Sequence, residues 1–271
     1  MNLLLPSIGN KVDLARLLGA AVRRRGGRLL GSDVSADAAA LALVDIRIEL
    51  PRFDDAAFWE VFAAVAREAG IDAVVPVRNE ELPHWAHRAE AGELPARLFI
   101  SPERTLRLCL DKAALYAAAE SAGIRCPPWQ PANAWIAESA GQFPVILKPV
   151  SGSGSRGVRV AKDSNELGRW IEGLDRPYLV QKQMVGTEFS VDCFANGTGQ
   201  LDAVCVRERT QVVNGQCTMG TPVDDPELVS LCRSIARVLD FRGVVNFQFI
   251  RDGDSAWLID LNPRFPGGIA Q

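Results

Sequence analysis

The strongest constraint on how this chain folds is a change of rhythm along it. Up to about residue 100, short apolar runs alternate with amphipathic helical patterns, whereas from Pro144 onward short strands follow one another through glycine turns. The first rhythm is that of βαβ units on a parallel sheet. A length of 271 residues leaves room for one large domain or two modest ones, and the change of rhythm favours two.

In the first part Leu3 to Leu5 reads as a strand, and Lys11 to Arg25 as a helix with Val12, Ala15, Leu18 and Val22 on one face, stopped by Gly26-Gly27. Arg28 to Leu30 is a second strand. Asp54 is placed to cap a helix whose apolar face is Phe58, Val61, Phe62 and Val65, and Ala73 to Pro76 is another buried strand. This is a Rossmann-like pattern without GxGxxG: only Ser7-Ile8-Gly9-Asn10 follows the first strand, which gives a dinucleotide site little support. Ser101-Pro102 reads as an N-cap with proline at the first helical position, and the domain boundary is set there, giving 1–103 and 104–271. Asp111 caps a helix running to Gly123, and Asp225 to Asp240 is the last clear helix. The apolar runs Val244 to Ile250 and Trp257 to Leu261 flank Asp252-Gly253 as a hairpin.

Composition narrows the function classes. With 48% hydrophobic and 23% charged residues the chain has a real core and is not disordered. A net charge of −3 makes no electrostatic case for nucleic acid or an anionic membrane. No window approaches 18 uninterrupted apolar residues, and Met1 to Pro6 is too short for a signal-peptide core, so a cytoplasmic, soluble protein is expected. The six cysteines form no CxxC pair and read as reduced thiols. Of the 30 basic residues 25 are Arg and only five are Lys, at positions 11, 112, 148, 162 and 182. Codon preference accounts for the total but not for where those five sit.

Three segments carry candidate chemistry. Val145 to Pro149, with Lys148, runs into Ser151-Gly-Ser-Gly-Ser-Arg-Gly157 and then a second strand. Glycines leave backbone N–H groups free to approach phosphate, and a lysine at the strand end supplies a point charge. On its own the segment fits a flexible hairpin loop equally well, and the missing GK[ST] excludes a P-loop. Val180 to Phe189 takes an apolar strand into a short polar stretch and Gly186-Thr-Glu188. In the hairpin, Asp260 and Asn262 share a strand face, and hard cations such as Mg²⁺ take oxygen ligands of this kind. Singly, the last two are better read as a solvated strand end and a turn.

Together and in this order these segments resemble the ATP-grasp superfamily, most closely its carbamoyl-phosphate-synthase-like branch. The resemblance covers nearly the whole chain, and its most specific part is Asn246-Phe-Gln248-Phe with Leu258-Ile-Asp-Leu-Asn-Pro-Arg264-Phe. It implies an α/β fold with a Rossmann-like pre-ATP-grasp domain over 1–103, in which the opening strand, Asp33 and Asp45 fall. A two-lobed ATP-grasp domain follows, 104–180 with the glycine loop and 181–271 with the metal-binding hairpin. It also implies an ATP site between the lobes. Lys112 and Lys148 would hold phosphates under the loop of Ser153, Gly154, Ser155 and Gly157. Gln181, Lys182 and Met184 would meet adenine, and Glu188 the ribose. Gln248, Asp260 and Asn262 would hold Mg²⁺ (or Mn²⁺), while Arg264, with Arg207 or Arg209, would neutralise charge on the transferred phosphoryl group. The implied activity is ligation of a small-molecule carboxylate, activated as an acyl phosphate, to an amine, and a homodimer is compatible with it. An ATP-binding protein or subunit without ligase turnover is the alternative.

The chain departs from the family pattern in three places. Asp260 stands where a bridging Glu is usual, Gln181 replaces a hinge Glu, and the chain stops at Gln271, soon after Asn-Pro-Arg, which implies a truncated C-terminal part. The metal assignment also requires Gln248 and Asp260 on one face, hence an odd-numbered loop such as Asp252 to Ala256. A two-residue Asp252-Gly253 turn would pair 248 with 257 and send Asp260 to the other face. Elsewhere, His84 and His87 lack a carboxylate or cysteine at ligand spacing and read as surface residues. Arg23-Arg24-Arg25 suits a helix C-terminus.

Overall fold

The computed structural model describes residues 1–135, 143–152, 154, 156–213 and 215–266. Its N-terminal part is a parallel sheet of β1 (Leu3–Leu5), β2 (Leu29–Gly31), β3 (Ile46–Arg47), β4 (Ala73–Val74) and β5 (Arg97–Leu98), in the order β3-β2-β1-β4-β5. Strand alternation assigns its residues to two cores. Leu3, Leu5, Leu29 and Ala73 pack with α1 (Val12–Arg23), while Leu4, Leu30 and Val74 pack with α2 (Phe58–Glu68) and α3 (Leu82–Glu90) through Phe58, Phe62 and Trp85. Both faces are thereby covered, as a parallel sheet requires.

Two expected helix caps are absent because their side chains are taken elsewhere. Asp54 holds the guanidinium of Arg52 at 3.0 and 3.1 Å, so α2 begins only at Phe58. Ser101 exchanges hydrogen bonds with the backbone of Arg242, whose N–H lies 3.1 Å from its hydroxyl. The next helix, α4 (Glu103–Leu110), has Pro102 as its N-cap, and its first amide donates to the Glu90 carboxylate at 2.7 Å. α4 straddles the domain boundary: Leu106 lies in the N-terminal core and Cys109 in the C-terminal one.

Beyond it, α5 (Lys112–Ser121) is capped as expected by Asp111, whose carboxylate accepts from the Ala114 amide at 2.9 Å. A small antiparallel sheet follows, with β6 (Trp129–Pro131), β9 (Tyr178–Lys182), β7 (Val145–Pro149) and β8 (Arg159–Ala161) in that order. α6 (Ser164–Ile171) lies on it. The large antiparallel sheet is ordered β12 (Gln216–Val223), β11 (Leu201–Val213), β10 (Thr187–Ala195), β13 (Gly243–Asp252), β14 (Ser255–Asn262). Val191, Cys193, Phe247, Phe249 and Leu261 form its apolar face, covered by Leu228, Cys232 and Ile235 of α7 (Pro226–Val238) and by Leu115, Tyr116 and Ala119 of α5. Hence α5, expected in the first lobe, packs on the large sheet, and Gln181 and Lys182, expected to open the second lobe, still belong to the small one.

The hairpin reaches the expected face by an unexpected route. Asp252 pairs with Ser255 around a two-residue turn, and the ladder continues to Phe249 opposite Leu258. A bulge then inserts Ile259, so that Gln248 pairs with Asp260 and Asn246 with Asn262. Were Ile259 paired regularly with Gln248, Asp260 would stand opposite Phe247 and point into the core. No helix among the described residues is long and apolar enough to cross a membrane.

Candidate active site

The polar face of the large sheet and one face of the small sheet's inner strands enclose a cleft of about 330 Å³. Period two puts Glu188, Gln248 and Asp260 on this face while their neighbours Phe189, Phe247 and Leu261 go into the core. Ile146 and Lys148 of β7, Gln181 of β9, Lys112 at the start of α5, and Gly152, Gly154 and Arg156 of the glycine loop close it from the other side.

Of the residues singled out in the sequence, Lys112, Lys148, Gly154, Gln181, Met184, Glu188, Arg209, Gln248 and Asp260 line this cleft. Ser153 and Ser155 lie outside the described residues. Gly157 does not line the cleft but shapes its loop. Its φ is +78°, and a Cβ there would stand 2.9 Å from the Tyr178 hydroxyl and 3.1 Å from Pro149, so only glycine fits. Lys182 is exposed and its amide donates to Pro128 O at 2.9 Å. Arg207 shares the polar face but does not line the cleft, being committed to Asp192 through two bonds of 2.8 and 2.6 Å.

The charges are arranged around Asp260. Lys112 Nζ lies 3.8 Å from its carboxylate and donates to Gly152 O at 3.2 Å. Lys148 is 7% exposed and donates to the Tyr116 hydroxyl at 2.6 Å and to Ile259 O at 3.3 Å. Both partners are neutral, so burial wins and lowers its pKa to about 8, with Asp260 pulling the other way. Arg209 is buried beside Glu188, 3.4 Å between Nε and Oε2. The geometry makes this an ion pair without a hydrogen bond, and that Nε has no hydrogen-bond partner among the described residues. A buried guanidinium with an idle donor in a cleft suits an anionic or strongly accepting ligand.

Arg264 and Asn262 sit at the seam with the N-terminal domain. Arg264 Nε donates to Asn79 Oδ1, its Nη1 donates to Phe265 O at 2.8 Å, and Asn79 Nδ2 donates to Asn262 Oδ1 at 3.3 Å. Phe265 packs against the N-terminal core. Lys11, given no role by the sequence, is near enough to Arg264 for like charge to add to burial, and its pKa falls to about 8.

A hard divalent cation fits this face in part. Gln248 and Asp260 bring oxygen donors to directly paired positions, whereas Asn262 turns Nδ2 toward Asp260 (3.5 Å) and its oxygen toward Asn79. One carboxylate leaves such an ion needing further anionic ligands, which phosphate groups supply. Among the described residues no cluster of three His, Cys, Asp or Glu forms a metal site by itself. Sequence reasoning missed Tyr116, Asn79 and Arg156. Tyr116 looks like one more apolar position of an alanine-rich helix, and Asn79 becomes relevant only through contacts across 183 and 185 residues.

Comparison with known proteins fits this geometry. Residues 175–271 match the family described as ATP-grasp in the biosynthetic pathway with Ter operon, and residues 3–94 match the PylC-like N-terminal domain. Fold, motif order and both matches point to one class: residues 175–271 are ATP-grasp in type, preceded by a PylC-like N-terminal domain. It is similar to the carbamoyl phosphate synthase large chain of Clostridium acetobutylicum, 30% identical over 136 residues, which are 45% of this chain and 13% of that relative's length. The fold is shared with the biotin carboxylase of Campylobacter jejuni solved with a β,γ-ATP compound (TM-score 0.77, 18% identity, 97% of this chain and 65% of that one). It is also shared with the L-amino acid ligase of Bacillus licheniformis (TM-score 0.75, 18% identity, 97% and 66%).

Proposed function

We propose that this chain is an ATP- and Mg²⁺-dependent ligase that activates a small-molecule carboxylate as an acyl phosphate for attack by an amine or another nucleophile. The observation that carries the reading is the convergence of Lys112, Lys148, Gln248 and Asp260, from a helix and two separate sheets, on one cleft roofed by a glycine loop. Two ammonium groups and one carboxylate make a site for a polyphosphate with its cation, better than for a neutral ligand. Lys112 and Lys148 hold phosphates, Gln181 and Met184 border the adenine, Glu188 takes the ribose, and Gln248 and Asp260, with Asn262 after an amide turn, hold Mg²⁺. The metal screens phosphate charge. Arg209 in the cleft wall, and Arg264 after leaving its partners Asn79 and Phe265, neutralise charge on the transferred phosphoryl group, and Arg207 supports that face through Asp192.

In the reaction, a substrate carboxylate oxygen bonds to the γ-phosphorus as the β–γ bridging bond breaks and ADP leaves. The amine nitrogen then attacks the acyl carbon, the C–O bond to phosphate breaks, and inorganic phosphate departs as the amine loses a proton to solvent. Such chemistry needs positioning and charge neutralisation more than covalent help. The matched relatives' names, carbamoyl phosphate synthase, biotin carboxylase and L-amino acid ligase, support the class without naming the substrates. The test is ADP and phosphate release with mixed amino acids, using ¹⁸O-labelled carboxylates. Stimulated release with ¹⁸O in the phosphate supports the ligase. Saturable ATP binding without stimulated turnover favours the second reading, a nucleotide-binding protein or subunit.

A further inference from the structure

Tyr116 is fully buried, is absent from the proposed chemistry, and touches three separate pieces of the cleft wall. Its hydroxyl lies 2.6 Å from Lys148 Nζ on the small sheet, 2.7 Å from Ile259 O on the large sheet, and 3.0 Å from Gln181 Oε1. Its ring lies beneath the same ammonium, 4.9 Å from Nζ to the centroid. A hydroxyl has one proton to give. Lys148 can only donate, so the hydroxyl accepts from it and gives its own proton to Ile259 O at the shorter distance.

Two local features bring this about. Tyr116 is four residues after Lys112 on α5, so one helix face delivers both a cleft lysine and the group that holds the other. The Ile259 carbonyl is available because the bulge takes that residue out of regular pairing with β13. The residue that turns Asp260 to the cleft therefore also supplies the acceptor beneath Lys148.

We propose that Tyr116 is a positioning residue for Lys148: its hydroxyl ties the ammonium of the small sheet to the bulged carbonyl of the large one and so fixes where the cleft presents positive charge to a bound polyphosphate. This rests on the reading that the cleft takes ATP through Lys148. Phe at this position keeps the ring and the cation–π contact and removes only the tie.

The test is a double-mutant cycle read on two ligands, ATP with Mg²⁺ and adenosine. Tyr116→Phe weakens ATP about tenfold, the scale of one hydrogen bond to a charged group, and leaves adenosine unchanged. In a Lys148→Ala background the same substitution changes neither ligand, because there is no ammonium left to position. Equal losses for both ligands, an undiminished ATP affinity, or additive effects with Lys148→Ala overturn the proposal. If Lys148→Ala itself leaves the ratio of ATP to adenosine affinity unchanged, the nucleotide reading falls, and the proposal with it. If Lys148→Ala collapses that ratio while Tyr116→Phe does not, only the proposal falls. Should Tyr116→Phe fail to fold, the chain's two tyrosines allow a second measurement. With 3-fluorotyrosine in a Tyr178→Phe background, the ¹⁹F signal of residue 116 shifts on adding ATP or tripolyphosphate and not adenosine; no shift with either polyphosphate overturns the proposal.

Discussion

Lys148→Met should stabilise the folded protein while disabling its cleft, by an amount that depends on pH in a defined way. The side chain is 7% exposed and meets neutral acceptors, and its pKa drops from 10.5 to about 8. At about 1.4 kcal/mol for each factor of ten in proton affinity, that displacement of 2.5 is a cost of about 3 kcal/mol for keeping the ammonium buried. The sign follows from proton counting. Between pH 8 and 10.5 the unfolded chain still holds the lysine proton that the folded chain has released, so this group's contribution to stability rises with pH there. Below pH 8 the whole cost is present. Methionine has nearly the same length and no charge, so its advantage is largest at pH 7 and shrinks by about 3 kcal/mol by pH 10.5. Burial raises the thiol pKa of Cys126 to about 12, which erodes stability at high pH in both proteins, a little less in wild type because the Lys148 charge favours the thiolate. Urea unfolding of both proteins at pH 7 and 10.5 measures it. A gap between them that does not change with pH would refute the reasoning, as would a variant less stable than wild type at pH 7.

Deleting Ile259 removes the bulge yet leaves Asp260 opposite Gln248, so what is lost is the carbonyl beneath Tyr116 and Lys148; a cost of about 1–3 kcal/mol in a urea melt is expected, with Mg²⁺-dependent ATP binding weakened but retained by calorimetry, and abolished binding would count against this register. Arg264→Ala should leave ATP affinity within a few-fold while turnover falls by about 10³, read as kcat against the ATP dissociation constant; a parallel loss of both would move Arg264 from chemistry to binding. Gly157→Ala, at a φ of +78° with the Tyr178 hydroxyl 2.9 Å from the new methyl, should cost about 1–3 kcal/mol in a urea melt and loosen the glycine loop.

What the sequence made legible is what period and local chemistry encode. The βαβ rhythm, the cap at Asp111, the helix beginning at Asp225, and the strand faces of Gln248, Asp260 and Asn262 all stand where pattern placed them. The failures come from contacts that a local pattern does not report, near in the chain for Asp54 and distant for Ser101 and Tyr116. Asp54 and Ser101 are good capping residues, but Arg52 and the Arg242 backbone take their oxygens. The bulge carries no glycine to announce it, so loop counting put Asp260 on the right face through the wrong turn. Tyr116 was illegible because its role lies in three contacts spanning 32 to 143 residues.

The bulged hairpin leaves a rule of parity on any variation in this protein. Between Gln248 and Asp260 the chain can lengthen or shorten by two residues and keep both oxygens in the cleft, because side chains alternate faces. A change of one residue elsewhere in the hairpin exchanges Asp260 for a core-facing neighbour unless a bulge is gained or the one at Ile259 is lost. Lineages of this hairpin should therefore differ in even steps or in whether they carry the bulge, and a single-residue gap that keeps Asp260 in the cleft marks the loss of Ile259.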